Sequence, residues 1–130
     1  MFSPDTLSPN KRLVWDFFQD VFNSRNAAAA AKYLHPDYRQ HATDVGQGPD
    51  AFIEHFTEVF KIFPQFHVDI IQLIEEGDRV VMHGYGITDP GKVEVVVVDI
   101  FRVRDGMLSE HWESIMHLES KDFGIEKFLP

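Results

Sequence analysis

The chain has no cysteine, which excludes disulfide bridges, thiolate nucleophiles and cysteine-ligated zinc. Positive charge is also scarce, with twelve Lys and Arg against 21 Asp and Glu and a formal charge of −9. Nucleic acids and anionic membranes call for clustered cations to neutralise phosphate; the basic residues here are scattered, so neither is expected as a partner. No stretch approaches the ~18 consecutive apolar residues of a membrane helix, and the opening MFSPDTLSPNK lacks the basic-then-apolar order of an export signal. A soluble, cytoplasmic protein is the expectation. Glycine-rich phosphate loops, a serine in G-x-S-x-G and a helical H-E-x-x-H are all missing, so nucleotide, acyl-enzyme and zincin chemistry lack their marks. No metal site is expected, although a set such as His41, His83 and Asp99 could gather an ion in space.

What is present suits one domain, 1–130, since 130 residues that are 44% hydrophobic can enclose a single core. Ser8-Pro9 reads as an N-cap with proline in the first turn, followed by Leu13, Val14, Phe17, Phe18, Val21 and Phe22 at amphipathic helical spacing. Asn26 is placed to cap a second, short helix through the alanine run to Tyr33 and Leu34, ended by Pro36. Gly48-Pro49 opens a third helix, with Phe52, Ile53, Phe56, Val59, Phe60 and Phe63 on one face, and Pro64 stops it.

From Phe66 the period changes to that of strands. Runs rich in Val, Ile and aromatics over roughly 66–75, 79–88, 93–103 and 107–118 are separated by Glu76-Gly77-Asp78, Asp89-Pro90-Gly91 and Asp105-Gly106. Helices followed by an antiparallel meander define an α+β fold. The third strand is apolar on both faces, so one face is expected to meet the helices and the other a second copy of the chain. The order of the tail, 119–130, is not set by the sequence.

Asp99 stands out. Side chains alternate along a strand, so it shares a face with Val95, Val97, Phe101 and Val103. A carboxylate in an apolar row is paired or used, because burying an unpaired charge is costly. It is either the first candidate for acid/base chemistry or a structural acid pairing with Arg102, Arg104 or a histidine. His83 and Tyr85 share a face of the second strand. Glu110 has the parity of Leu108 and Trp112, which sends it into the same interior as Asp99 if the alternation is unbroken.

Four segments in order, WDFFQDVFNSRN, YLHPDYRQHATDVGQGPDAFIEHF, DRVVMHGYG and VDIFRVRDGMLSEHW, carry a resemblance. The chain resembles the SnoaL-like polyketide cyclases of the nuclear-transport-factor-2-like superfamily over nearly its whole length. That resemblance implies a cone: a curved antiparallel sheet packed against three N-terminal helices around a deep apolar pocket, an NTF2-like or cystatin-like shape that commonly dimerises through the outer face of the sheet. It implies aldol-type cyclisation or isomerisation without metal or cofactor, by proton abstraction next to a carbonyl of a small hydrophobic or aromatic ligand. By position in the motifs, Asp99 would be the base, His83 in VVMHG its partner, and His41 in YRQH an assistant near the cavity mouth. Tyr38, Tyr85, Phe101, Glu110 and Trp112 would bind substrate. The alternative is a dimeric module of the same shape that binds a small ligand and performs no chemistry; the superfamily includes both.

Overall fold

In the computed structural model, which describes residues 3–130, the helix begins where the sequence places it. Ser8 caps it, its Oγ accepting from the Lys11 amide at 3.3 Å. Helix α1 (Pro9–Phe17) runs directly into a π-helical turn over Phe18–Asn23. The wider turn lets adjacent residues face inward together, so Phe17, Phe18, Val21 and Phe22 are all buried. Helix α2 (Gly48–Ile62) forms as expected and ends just before Pro64.

The second predicted helix is corrected. The alanine run makes only a 3-10 segment (Ala27–Lys32), without a side-chain cap from Asn26. The chain then extends as a strand, β1 (Leu34–Gln40), where a helix end was expected. Pro36 is tolerated because β1 lies at the sheet edge, where a missing N–H costs no ladder bond.

The four expected strands are β2 (His67–Glu76), β3 (Arg79–Asp89), β4 (Val93–Arg104) and β5 (Met107–His117). The sheet order is β1-β5-β4-β3-β2, antiparallel throughout except that β1 runs parallel to β5. The two-residue turn at Asp105-Gly106 has φ of 55° and 71°, the left-handed pair that a tight hairpin requires. Each of the four strand pairs contains a register irregularity, and such bulges bend and twist strands into a curved sheet.

Helices α1 and α2 pack on the concave face through an aromatic cluster centred on Phe17. Its ring lies 5.5 to 5.9 Å from those of Phe18, Phe22, Phe52 and Phe101. Phe17→Ala is expected to lower unfolding free energy by about 3–5 kcal/mol, a large share of the roughly 5–15 kcal/mol a domain holds. Urea denaturation measures it, and a loss under ~1 kcal/mol would remove Phe17 from the centre of the core.

The tail docks on part of the opposite, outer face. Ile125 and Phe128 pack near Tyr85, Ile71 and Val96, and the Gly124 amide donates to the Tyr85 hydroxyl at 2.8 Å. Among the described residues no helix is long and apolar enough to cross a membrane.

Candidate active site

The concave face does not close completely on the helices. A cavity of about 300 Å³ remains, walled by phenylalanines of α1, the π turn and α2, with Val95, Val97, Asp99 and Phe101 of β4 as its floor. Asp99 is 4% exposed, so the apolar row read from the sequence does carry a buried acid.

The residue that meets Asp99 is His111, whose Nε2 lies 2.7 Å from Asp99 Oδ1. The reason is a bulge. Across β4 and β5, Arg102 pairs with Glu110 but Val103 pairs with Leu108, which leaves Ser109 as an extra residue. One extra residue reverses every side chain beyond it. His111, Glu113, Ile115 and His117 therefore line the cavity, opposite Phe101, Asp99, Val97 and Val95 respectively. Glu110 and Trp112 turn to the outside.

The far side of His111 is held by β1. Gln40 Oε1 lies 2.6 Å from His111 Nδ1 and accepts from the Ala42 amide at 3.1 Å, while Gln40 Nε2 donates to the Tyr38 hydroxyl oxygen at 3.0 Å. The Ala42 N–H requires an oxygen at that position, which fixes the orientation of the Gln40 amide. Gln47 secures the strand end: its Oε1 accepts from the Gln40 amide at 2.9 Å and its Nε2 donates to the Gln40 carbonyl at 2.7 Å. With a carbonyl oxygen facing Nδ1, that nitrogen must carry a proton. The contact between Nε2 and Asp99 Oδ1 then holds one further proton, as imidazolium with carboxylate or imidazole with acid. The pair is neutral in either form.

Two groups complete the polar set. Burial and the nearby Asp99 charge push the Tyr38 hydroxyl well above the usual phenol range. It stays protonated and, having accepted from Gln40, keeps its own O–H to donate. Glu113, directly across from Asp99 in the sheet, is pushed up to about 7, first by desolvation and then by Asp99. An acid raised on folding stabilises the fold below its unfolded value of 4.5, and that contribution is lost as pH climbs through about 7. Glu113→Gln should therefore melt higher than the parent at pH 8, by a few degrees, or on the order of 1 kcal/mol after discounting for the solvent at the rim. The two should converge below pH 4.5. A gap that does not change between these pH values would show that folding does not raise the Glu113 acid.

Of the residues expected at the site, Asp99, Tyr38 and Phe101 line the cavity, and Phe101 stacks on the His111 ring at 4.8 Å. His83 does not. It pairs with Val98 on the outer face and contacts Gln72 through Nδ1 at 3.0 Å. Tyr85 is outside too, donating to Glu94 and covered by the tail. His41, Glu110 and Trp112 form a separate outer cluster. The His41 ring stacks on Trp112 at 4.9 Å, its Nε2 lies 2.7 Å from Glu110, and Arg102 donates to Glu110 at 3.0 Å. Glu110 is accordingly held below the usual carboxylate range, first by the His41 bond, and does not share a proton with Asp99. His111, Gln40 and Glu113 are the site groups the sequence reading missed.

His41, His83 and Asp99 do not come together as an ion site. Asp99, His111 and Glu113 do offer ligand atoms within 4.8 Å of one another, and that trio could hold a metal ion.

A cone-shaped α+β domain with a buried acid–histidine pair in an aromatic cavity is the class that fold and site define. The family model described as SnoaL-like domain matches residues 14–111, and the chain belongs to that family. A search of curated proteins finds no match. Among solved structures, the chain is similar to a protein from Acidithiobacillus ferrooxidans provisionally named a polyketide cyclase, with TM-score 0.74 and 19% identity over 85% of this chain and 89% of that one. It is similar to an uncharacterized cystatin-fold protein from Novosphingobium aromaticivorans, with TM-score 0.72 and 16% identity over 81% and 97%. A protein from Kribbella flavida provisionally named a ketosteroid isomerase gives TM-score 0.65 and 17% identity over 94% and 88%. At these identities the likeness is one of fold.

Proposed function

We propose that the chain is a cofactor-independent enzyme that removes a proton next to a carbonyl of a small apolar ring compound, as in aldol-type cyclisation or isomerisation. The observation that carries this is the 2.7 Å contact between Asp99 and His111 inside an otherwise aromatic cavity. The names of two structural neighbours, a cyclase and a ketosteroid isomerase, are compatible with it.

Asp99 takes the carbon-bound proton, and the electron pair moves to the carbonyl oxygen as an enolate. The Asp99–His111 pair, neutral before the step, gains one positive charge and so balances the enolate within a site of low dielectric. Tyr38 donates its O–H to the enolate oxygen. Glu113, able to hold a proton near pH 7, returns one to carbon in an isomerisation or to the new alkoxide in an aldol closure. The cavity, at about 300 Å³, is at the small end of ligand sites, which run from roughly 300 to 1,000 Å³. It suits one or two rings.

Incubation with 2-tetralone in deuterium oxide tests the reading. Proton NMR should show deuterium entering beside the carbonyl at a rate that saturates with protein-bound ligand. Binding without exchange would leave a ligand-carrying module.

A further inference from the structure

The cavity has a charge character that the proposed chemistry does not require. Its wall contains eight phenylalanines and Tyr38, three carboxylates in Asp44, Asp99 and Glu113, three histidines in His55, His111 and His117, and no Lys or Arg. Asp99 is matched by His111, and the nearest cationic candidate for Asp44 is His55 at 3.9 Å. Glu113 has no Lys, Arg or His within ion-pair distance among the described residues. Three of the six arginines lie on the other side of the sheet, where Arg39 and Arg102 flank Glu110 and Arg79 lies over Trp112.

We infer that the cavity selects its ligand by charge, admitting one- or two-ring carbonyl compounds that are uncharged or carry a protonated amine and rejecting carboxylates and phosphates. An anion entering this space would lose its water with no Lys or Arg to replace it and with His111 already committed to Asp99, and would sit beside Glu113 and Asp44. A protonated amine meets the reverse situation. Asp44 and the ionised form of Glu113 offer it charge-assisted hydrogen bonds, and the aromatic faces present their negative quadrupoles to it. An uncharged ring compound gains the apolar wall alone. The inference rests on reading the cavity as the ligand site.

The test is titration calorimetry of the full chain at pH 7.5 with three probes of one shape: 1-naphthylmethylamine, 1-naphthylmethanol and 1-naphthoate. The amine is expected to bind on the order of tenfold or more tighter than the naphthoate, with the alcohol between them. Combining Glu113→Gln with Asp44→Asn should bring amine and alcohol together. Naphthoate binding as tightly as the amine overturns the inference, as does failure of all three to bind or a preference that survives the double substitution. Charge preference without exchange of 2-tetralone would remove the chemistry and leave the selection standing. Exchange without charge preference would do the opposite.

Discussion

His111→Ala is expected to abolish most activity and a large part of the stability, whereas His83→Ala should change neither by much. His111 bonds to Asp99 on one side and Gln40 on the other, and it is 7% exposed. Removing it strands a buried carboxylate and takes from the Gln40 amide oxygen one of its two donors, leaving the Ala42 amide. Breaking a buried pair from one side costs about 3–5 kcal/mol, and losing the partner in proton transfer costs about 10²–10⁴ in rate. His83 contacts only Gln72 among the bonds described, on the outer face, and a substitution there falls within about ±0.5 kcal/mol. Chemical denaturation and 2-tetralone exchange, run on both variants, read the contrast. Equal effects, or a larger one at His83, would return the partner role to the histidine that the sequence motif suggested.

Asp99→Asn separates chemistry from binding. The amide is close in size to the carboxylate, and its nitrogen can donate to His111 Nε2, which is an acceptor once Nδ1 carries the proton, so the fold and the cavity should persist. Its nitrogen and oxygen cannot take a proton from carbon near neutral pH. Exchange should fall by about 10³ or more, while affinity for 1-naphthylmethanol stays within about threefold. Lost affinity alongside lost exchange would mean that Asp99 shapes the pocket and does not act as its base.

The parts of this site that were legible in the sequence are those on regular strand. Val95, Val97, Asp99 and Phe101 alternate without interruption, so the face of the acid could be read directly. The hairpin was equally clear from Asp105-Gly106, whose backbone needs a left-handed pair. His111 was hidden by the bulge at Ser109. Unbroken alternation from Leu108 sends Glu110 and Trp112 inward, and nothing in the local sequence announces the extra residue. Gln40 was hidden for another reason. It lies on β1, a strand whose Pro36 and preceding alanines read as a helix and its end, and whose pairing with β5 is a contact between residues some 70 apart in sequence. The π turn likewise leaves no signature beyond a Phe17-Phe18 pair that both had to be buried. The family motif VDIFR points to Asp99, which lines the cavity, but the matching histidine in VVMHG faces away from it.

The central claim is that Asp99, held by His111, takes a proton from carbon inside the aromatic cavity. The most direct measurement is deuterium incorporation into 2-tetralone by the parent chain and by Asp99→Asn at matched ligand occupancy, followed by proton NMR. The account predicts saturable exchange in the parent and only solvent background in the variant. Equal exchange in both, or none in the parent despite occupancy, would contradict it.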